Sequence, residues 1–234
     1  MDKEMQKRLF SAAGLSVLPY VAFDADAYVN DSYTVIERLK KELAFPIIVK
    51  PCNLGSSIGI SLAHTYDELF AAVRVALSFD TRVVAENALQ DFEEYNCAVL
   101  LGEPSEVEKP VGWKDFLSYE DKYLRKSTGT RREFPAAIPE DLRARIREAA
   151  ATAYAAVGAS GVARVDFLHK DGALYVNEIN TIPGSLAAYF YEGGTPYVIE
   201  RLLQQAKEVF GAKQRRTFAY KPFSGEGAKG RGAK

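Results

Sequence analysis

Apolar and polar positions change period several times along the chain, and each change marks an element. Residues 3–13 (KEMQKRLFSAA) suit a helix that Gly14 stops. Residues 17–23 read as a strand, with Pro19 arguing for an edge position. Between Tyr33 and Leu43, the residues Val35, Ile36, Leu39 and Leu43 recur on one helical face. Pro46 to Lys50 is a short apolar strand that ends on a lysine. Pro51 and the segment Asn53-Leu54-Gly55-Ser56-Ser57-Ile58-Gly59 break it, giving a tight loop and a second strand near residues 58–62. Tyr66 to Phe79 predicts an amphipathic helix with Leu69, Phe70, Val73, Ala76 and Leu77 inward. Residues 82–86 and 95–101 are strands by β-branched and aromatic content. Residues 112–129 are polar and aromatic with little periodicity, a pattern common in functional lids. Residues 139–157 predict a strong helix, residues 162–169 and 173–179 a hairpin about Lys170-Asp171-Gly172, and residues 195–210 a final helix.

The elements describe an α+β fold of two lobes that divide near residues 88–94, without the strict alternation a Rossmann sheet requires. The expected units are residues 1–90, residues 91–210 and a tail at 211–234. A chain of 234 residues that is 47% hydrophobic can bury a real core and is not wholly disordered. Its 30 Lys+Arg against 31 Asp+Glu imply no polyanion-binding role, so nucleic acid is not an expected partner. One asymmetry stands out. Seven basic residues and one acid, Glu226, lie between Gly211 and Lys234, in a Gly-rich segment that reads as a solvated, disordered tail. No apolar run approaches the ~20 residues that span a bilayer, and the opening residues have no signal-peptide character. Cys52 and Cys97 are too few for a disulfide framework; they read as small core residues in a reducing cytoplasm.

The chemistry concentrates in the last hairpin. Strand alternation puts Arg164 and Asp166 on one face, and Glu178 and Asn180 on one face of the next strand. If the Lys170-Asp171-Gly172 turn sets the register, the two polar faces coincide, with Val165, Phe167, Val176 and Ile179 pointing elsewhere. Asp, Glu and Asn oxygens suit Mg²⁺, which completes its octahedron with phosphate and water. An adjacent arginine would neutralise a transferring phosphate. The alternative is a solvent-facing salt-bridge ladder, and the Pro183-Gly184 turn that follows at once weighs against it. A second candidate is Lys50 with the Gly55-Ser56-Ser57-Ile58-Gly59 loop. Its backbone amides and hydroxyls can approach a phosphate, although no Walker loop is present. Glu86-Asn87-Ala88-Leu89 with Glu94 could offer backbone and carboxylate groups to an adenine and a ribose. Lys122, set in Tyr119-Glu120-Asp121-Lys122-Tyr123, could belong to the lid.

Taken together, IIVKPCNLGSSIGI, AENALQDFEEYNCAVLL, LSYEDKYL, GVARVDFL and LYVNEINTIPGS resemble the D-alanine–D-alanine ligase family of the ATP-grasp superfamily, from residue 1 to about 210. The resemblance implies an ATP-grasp fold with nucleotide held between the sheets of two lobes. It also implies ATP- and Mg²⁺-dependent joining of a carboxylate to an amine through an acyl phosphate, for a peptidoglycan precursor. Lys50 and Lys122 would hold ATP phosphates beneath Ser56 and Ser57, with Ser57 also near the reacting groups. Glu86, Asn87 and Leu89 would border adenine, Glu94 the ribose, and Asn177 would join the nucleotide contacts. Asp166, Glu178 and Asn180 would bind two Mg²⁺, replaceable by Mn²⁺. Arg164 would face the transferring phosphoryl group, and the Gly184 N–H the oxyanion. D-alanine is the expected amino-acid substrate, and a separate N-terminal domain or a second copy the expected protein partner. Three departures bear on this. The family's N-terminal α/β domain precedes what is here residue 1. Ser185-Leu186-Ala187-Ala188-Tyr189-Phe190 is more apolar than the family's Ser/Thr-rich stretch, which leaves substrate identity open. Leu54 and Asn87 stand where charged residues are frequent. Two other readings are a nucleotide-binding module without turnover and a ligase of this fold for other amino-acid-like substrates.

Overall fold

The structure is a computed structural model that describes residues 2–111 and 131–216. The lid segment with Lys122, and most of the tail, lie outside the described residues. Two antiparallel sheets form the frame. The first contains β1 (Tyr20–Asp24), β2 (Ile47–Pro51), β3 (Ser61–Ala63) and β4 (Arg82–Asn87) in the order β1-β4-β2-β3. Helices α2 (Ala25–Asn30), α3 (Ser32–Glu42) and α4 (Tyr66–Phe79) accompany it. Each begins on a side-chain cap: Asp24 accepts from the Ala27 N–H at 2.7 Å, Asp31 from Thr34 at 3.0 Å and Thr65 from Glu68 at 3.3 Å. Val35, Ile36 and Leu39 of α3 and Leu69, Val73 and Ala76 of α4 pack on Ile47, Val49, Val83 and Ala85. Phe70, expected inward, is exposed. Because β-strand side chains alternate, Ile48, Lys50, Val84 and Glu86 face the other way.

The second sheet contains β5 (Glu93–Leu100), β6 (Glu103–Val111), β7 (Arg131–Glu133), β8 (Val162–Lys170) and β9 (Ala173–Asn180), in the order β7-β6-β5-β8-β9. Helix α5 (Glu140–Ala156) covers one face, where Leu142, Ile146, Ala150 and Ala153 meet Cys97, Val99, Val107 and Val165. The first helix, α1 (Lys3–Ala12), joins this second core although it precedes the first sheet: Phe10 is fully buried there. Its Gln6 carboxamide donates to the Ile179 carbonyl at 3.3 Å and accepts from the Ile179 N–H at 3.0 Å, which closes the free edge of β9. Both cysteines are free and buried, and burial pushes their thiols up to about 12. The last helix, α6 (Gly194–Gln214), runs beyond the expected end at Phe210 and takes in Gly211 and Lys213 of the segment read as tail. Ala212, Lys213 and Gln214 are good helix formers, and Lys213 sits favourably at the negative end of the helix dipole. No helix among the described residues is long and apolar enough to cross a membrane.

The β8–β9 hairpin departs from the expected register in a way that matters. Asp171 (φ 49°) and Gly172 (φ 79°) form a two-residue turn with both φ values positive, and Lys170 pairs with Ala173. Continued evenly, this register would set Asp166 opposite Asn177 and leave Glu178 and Asn180 on the core face. The turn alone therefore does not make the polar faces coincide. A bulge does: Phe167 pairs with Val176, but Asp166 pairs with Glu178 and Arg164 with Asn180, so Asn177 is the extra residue. Val176 and Ile179 both reach the core across a spacing that strict alternation forbids.

Phe10→Ala should cost about 3–5 kcal/mol of unfolding free energy, the usual range for emptying a core aromatic site. Urea titration reads this directly, and an unchanged midpoint would place α1 outside the core.

Candidate active site

The bulged hairpin brings four polar side chains together. The Arg164 guanidinium donates from Nε to Asp166 Oδ1 at 2.6 Å and from Nη2 to Oδ2 at 2.8 Å, a bidentate pair. The Asn180 amide donates to Asp166 Oδ2 at 2.9 Å. The Asp166 charge pushes the Arg164 pKa above its usual value. Asn96 and Glu108 lie on the same sheet face. Asn96 pairs with both Asp166 and Glu108 along the ladders, and its amide donates to Glu108 Oε1 at 3.2 Å. Both are buried, so the acidic patch is recessed rather than a solvent-facing ladder.

The first sheet supplies the facing wall. Lys50 stands at the penultimate position of β2, and its Nζ donates to Asn177 Oδ1 at 3.4 Å across the gap between the sheets. It also pairs with Glu86 Oε1, while Lys7 of α1 pairs with Glu86 Oε2 at 2.5 Å. Glu86 is 1% exposed. Burial alone would raise its carboxyl, but the two ammonium groups outweigh that and hold it at about 2. Burial lowers the Lys3 and Lys7 ammonium groups, opposed chiefly by Glu178 at Lys3 and by Glu86 at Lys7. The nearness of Lys3 to Glu178 puts the start of α1 over the hairpin's acidic end.

Ser56 (φ 55°) and Ser57 (φ 58°) occupy a left-handed turn, with Ser56 exposed and Ser57 half-buried. Gly59 secures the loop, since a Cβ there would come within 2.7 Å of the Phe79 ring and 2.8 Å of Pro51. The turn extends through Ile60, so the strand expected from residue 58 starts only at Ser61. Asn87 Oδ1 accepts from the Ala44 N–H at 2.9 Å, so its side chain fixes a neighbouring loop. The Glu86 carboxylate is held by the two lysines inside the wall. Leu89 is half-buried in the crossing between the sheets, and Glu94 is half-buried on the face opposite Tyr95 and Cys97. Gly184 is exposed at the head of the turn that follows β9, with open space where a Cβ would sit.

Comparison with known proteins agrees with this architecture. Residues 9–192 match the family described as D-ala D-ala ligase C-terminus. The chain belongs to the D-Ala–D-Ala ligase C-terminal family. It is similar to the D-alanine–D-alanine ligase of Lactococcus lactis subsp. lactis (strain IL1403), at 38% identity over 229 residues, covering 92% of this chain and 63% of that protein. The corresponding ligase of Synechococcus sp. (strain RCC307) is 40% identical over 222 residues, covering 89% and 62%. Among solved structures, the VanG D-Ala:D-Ser ligase from Enterococcus faecalis superposes with a TM-score of 0.66 at 31% identity, covering 90% of this chain and 61% of that one. The chain thus spans somewhat over three fifths of the length of such relatives, and its fold is ATP-grasp. Within this ATP-grasp frame, Lys3, Lys7, Asn96 and Glu108 join the candidate residues through tertiary contacts. The two lysines are spaced one helical turn apart with Phe10 close behind, which marks them as residues of a buried face. Asn96 and Glu108 alternate with Cys97 and Val107, the signal of an inward polar face.

The electrostatics of Glu86 make a pH-dependent prediction. Its folded pKa lies below the ordinary 4.5, so its stabilisation is complete above that value and fades as pH falls toward about 2. Glu86→Gln should cost about 3–5 kcal/mol at pH 7, because two buried ammonium groups lose their partner. The gap to the wild-type chain, measured by urea unfolding across pH, should narrow only in the acid range. A gap independent of pH down to the acid limit would remove the charge from the account.

Proposed function

We propose that the chain is the ATP-binding and catalytic portion of a carboxylate–amine ligase of the D-alanine–D-alanine type, acting in the cytoplasm on peptidoglycan precursors. The observation that carries this reading is the cross-strand convergence of Arg164, Asp166, Glu178 and Asn180 opposite Lys50. Among the described residues no group of three or more His, Cys, Asp or Glu side chains could enclose a metal. Two carboxylates and an amide oxygen instead form an open donor set, which fits Mg²⁺ ions shared with nucleotide phosphates and water. Asp166, Glu178 and Asn180 would hold two such ions, with Mn²⁺ an acceptable substitute. The ions would neutralise charge on the transferring phosphoryl group.

In the reaction, a substrate carboxylate oxygen attacks the γ-phosphorus of ATP, the bond to the β-phosphate oxygen breaks, and ADP leaves. The amine then attacks the acyl phosphate carbonyl, and the C–O bond to phosphate breaks with its electron pair while the amine gives up a proton. Lys50, Lys122 and the Ser56–Ser57 loop would steady the phosphates, and Arg164 the charge that passes from phosphoryl group to tetrahedral centre. The Gly184 N–H would donate to the oxyanion. Glu86, Asn87 and Leu89 would border adenine and Glu94 the ribose, with Asn177 joining the nucleotide contacts beside Lys50. D-alanine would be the carboxylate substrate, held with the help of an N-terminal domain, joined or separate. Calorimetric titration tests the core of this. ATP should bind in a Mg²⁺-dependent manner, and Glu178→Gln should remove that dependence while leaving the melting temperature nearly unchanged. Binding that ignores Mg²⁺, or survives equally in the variant, would refute the metal assignment.

A further inference from the structure

On the face of the second sheet opposite α5, a run of side chains leads from a buried carboxylate to Arg164. The carboxylate is Glu108 of β6, 5% exposed. Asn96 of β5 stands opposite Glu108 on one side and opposite Asp166 on the other. Its amide donates to Glu108 Oε1 at 3.2 Å. Glu108 Oε2 has no hydrogen-bond donor among the described residues and faces Arg132 Nη1 at 3.7 Å. Arg132 of β7 pairs with Pro110 of β6, two residues beyond Glu108, and such diagonal neighbours share a sheet face.

The run continues through Tyr189. The Arg132 guanidinium stacks over the Tyr189 ring, 4.2 Å from its centroid. The main chain here is fixed on both sides, because Ala188 and Phe190 are buried in the apolar layer on Ala98 and Leu100, where Phe190 meets Phe134 edge-on at 5.3 Å between ring centres. The Tyr189 hydroxyl lies by the Arg164 guanidinium. Burial, and then the nearby Glu108 charge, raise its pKa, so the hydroxyl stays neutral. A guanidinium carries five N–H donors, of which Asp166 takes one from Nε and one from Nη2. Asp166 thus fixes one edge of the fork, and a further contact is needed to fix the donors left for a phosphoryl group. We propose that Glu108 and Tyr189 are positioning residues for Arg164. Glu108 holds Arg132, Arg132 holds the Tyr189 ring, and the Tyr189 hydroxyl steadies the guanidinium. The inference rests on the ligase reading for the role of Arg164 at the transferring phosphoryl group. Stability does not account for the arrangement, since a buried ion pair gains little over apolar side chains of similar volume.

Two readouts on the full chain test it. Calorimetry compares Mg²⁺-ADP with Mg²⁺-ADP plus aluminium fluoride, which stands in for the transferring phosphoryl group. Tyr189→Phe removes only the hydroxyl and Glu108→Gln only the charge. Each should lose about tenfold in affinity for the fluoride complex, the usual weight of one hydrogen bond to a charged group, with less than about a twofold change for ADP. Because the two residues act in series, the double variant should lose no more than the worse single one. In the nucleotide-free chain, ¹⁵N relaxation should show the Arg164 Nε order parameter falling from about 0.85, a rigid value, toward about 0.6 in both variants. Unchanged Arg164 order in Tyr189→Phe, equal losses for ADP and the fluoride complex, or additive losses in the double variant would overturn the proposal. Should Glu108→Gln fail to fold, Arg132→Gln takes its place, and Tyr189→Phe alters a ring that is already partly exposed. Nucleotide binding with fluoride-complex affinity intact in the variants overturns the positioning roles and leaves the ligase reading standing. Lowered Arg164 order in the variants of a chain that binds no nucleotide upholds the positioning and removes the ligase reading.

Discussion

One extra residue in a β-strand decides where the polar chemistry of this protein lies. Asn177 is accommodated as a bulge between Val176 and Glu178, and because the side-chain period of a strand is two, that single accommodation moves everything beyond it to the opposite face. On one side of the bulge the tight Asp171-Gly172 turn governs pairing. On the other, Glu178 and Asn180 stand directly opposite Asp166 and Arg164. Without the bulge the Glu178 carboxylate and the Asn180 amide would point into a core of Phe10, Val165 and Ile146, where an unpaired charge is prohibitively costly. The apolar residues Val176 and Ile179 and the polar residues Glu178 and Asn180 therefore favour the same register.

The facing wall rests on a second polar device. Glu86 is buried between lysines from two elements, Lys50 of β2 and Lys7 of α1, and Lys50 reaches on to Asn177 in the other sheet. A single carboxylate thus ties together the first sheet, the opening helix and, through Lys50, the bulge. Buried ion pairs are weak evidence for stability, because desolvation offsets most of the Coulomb attraction. Their use here is positional: they fix the height and direction of the ammonium groups above the hairpin. Helix α1 is held at both ends to suit, with Phe10 in the second core and Asp2 and Glu4 paired with Arg82 of the first sheet.

Much of this was legible in the chain. The Lys170-Asp171-Gly172 turn and a lysine near the end of an apolar strand follow from local rules, whereas Arg164, Asp166, Glu178 and Asn180 share a face only because of the bulge. The bulge was less so. Its only trace is the spacing of Val176 and Ile179, which conflicts with strict alternation and needs the partner strand to interpret. Strand β6 escaped notice because Pro104, Pro110 and three glutamates mask the inward alternation of Ser105 and Val107. The roles of Lys3 and Lys7 depend on contacts of a helix at the start of the chain with Glu178 of β9 and Glu86 of β4, which no local pattern encodes. Glu86, a lone acid near the end of a strand, carries no local sign of burial and is among the most deeply buried charges of the described residues.

The central claim is that the bulged hairpin gathers Asp166, Glu178 and Asn180 around divalent ions that in turn grip ATP. Paramagnetic broadening by Mn²⁺, followed by NMR with and without ATP, tests it most directly. Broadening should centre on these three residues, be strongest when nucleotide is present and shift away from them in Glu178→Gln. Broadening centred on a different group of carboxylates, with the hairpin signals left sharp, would contradict it.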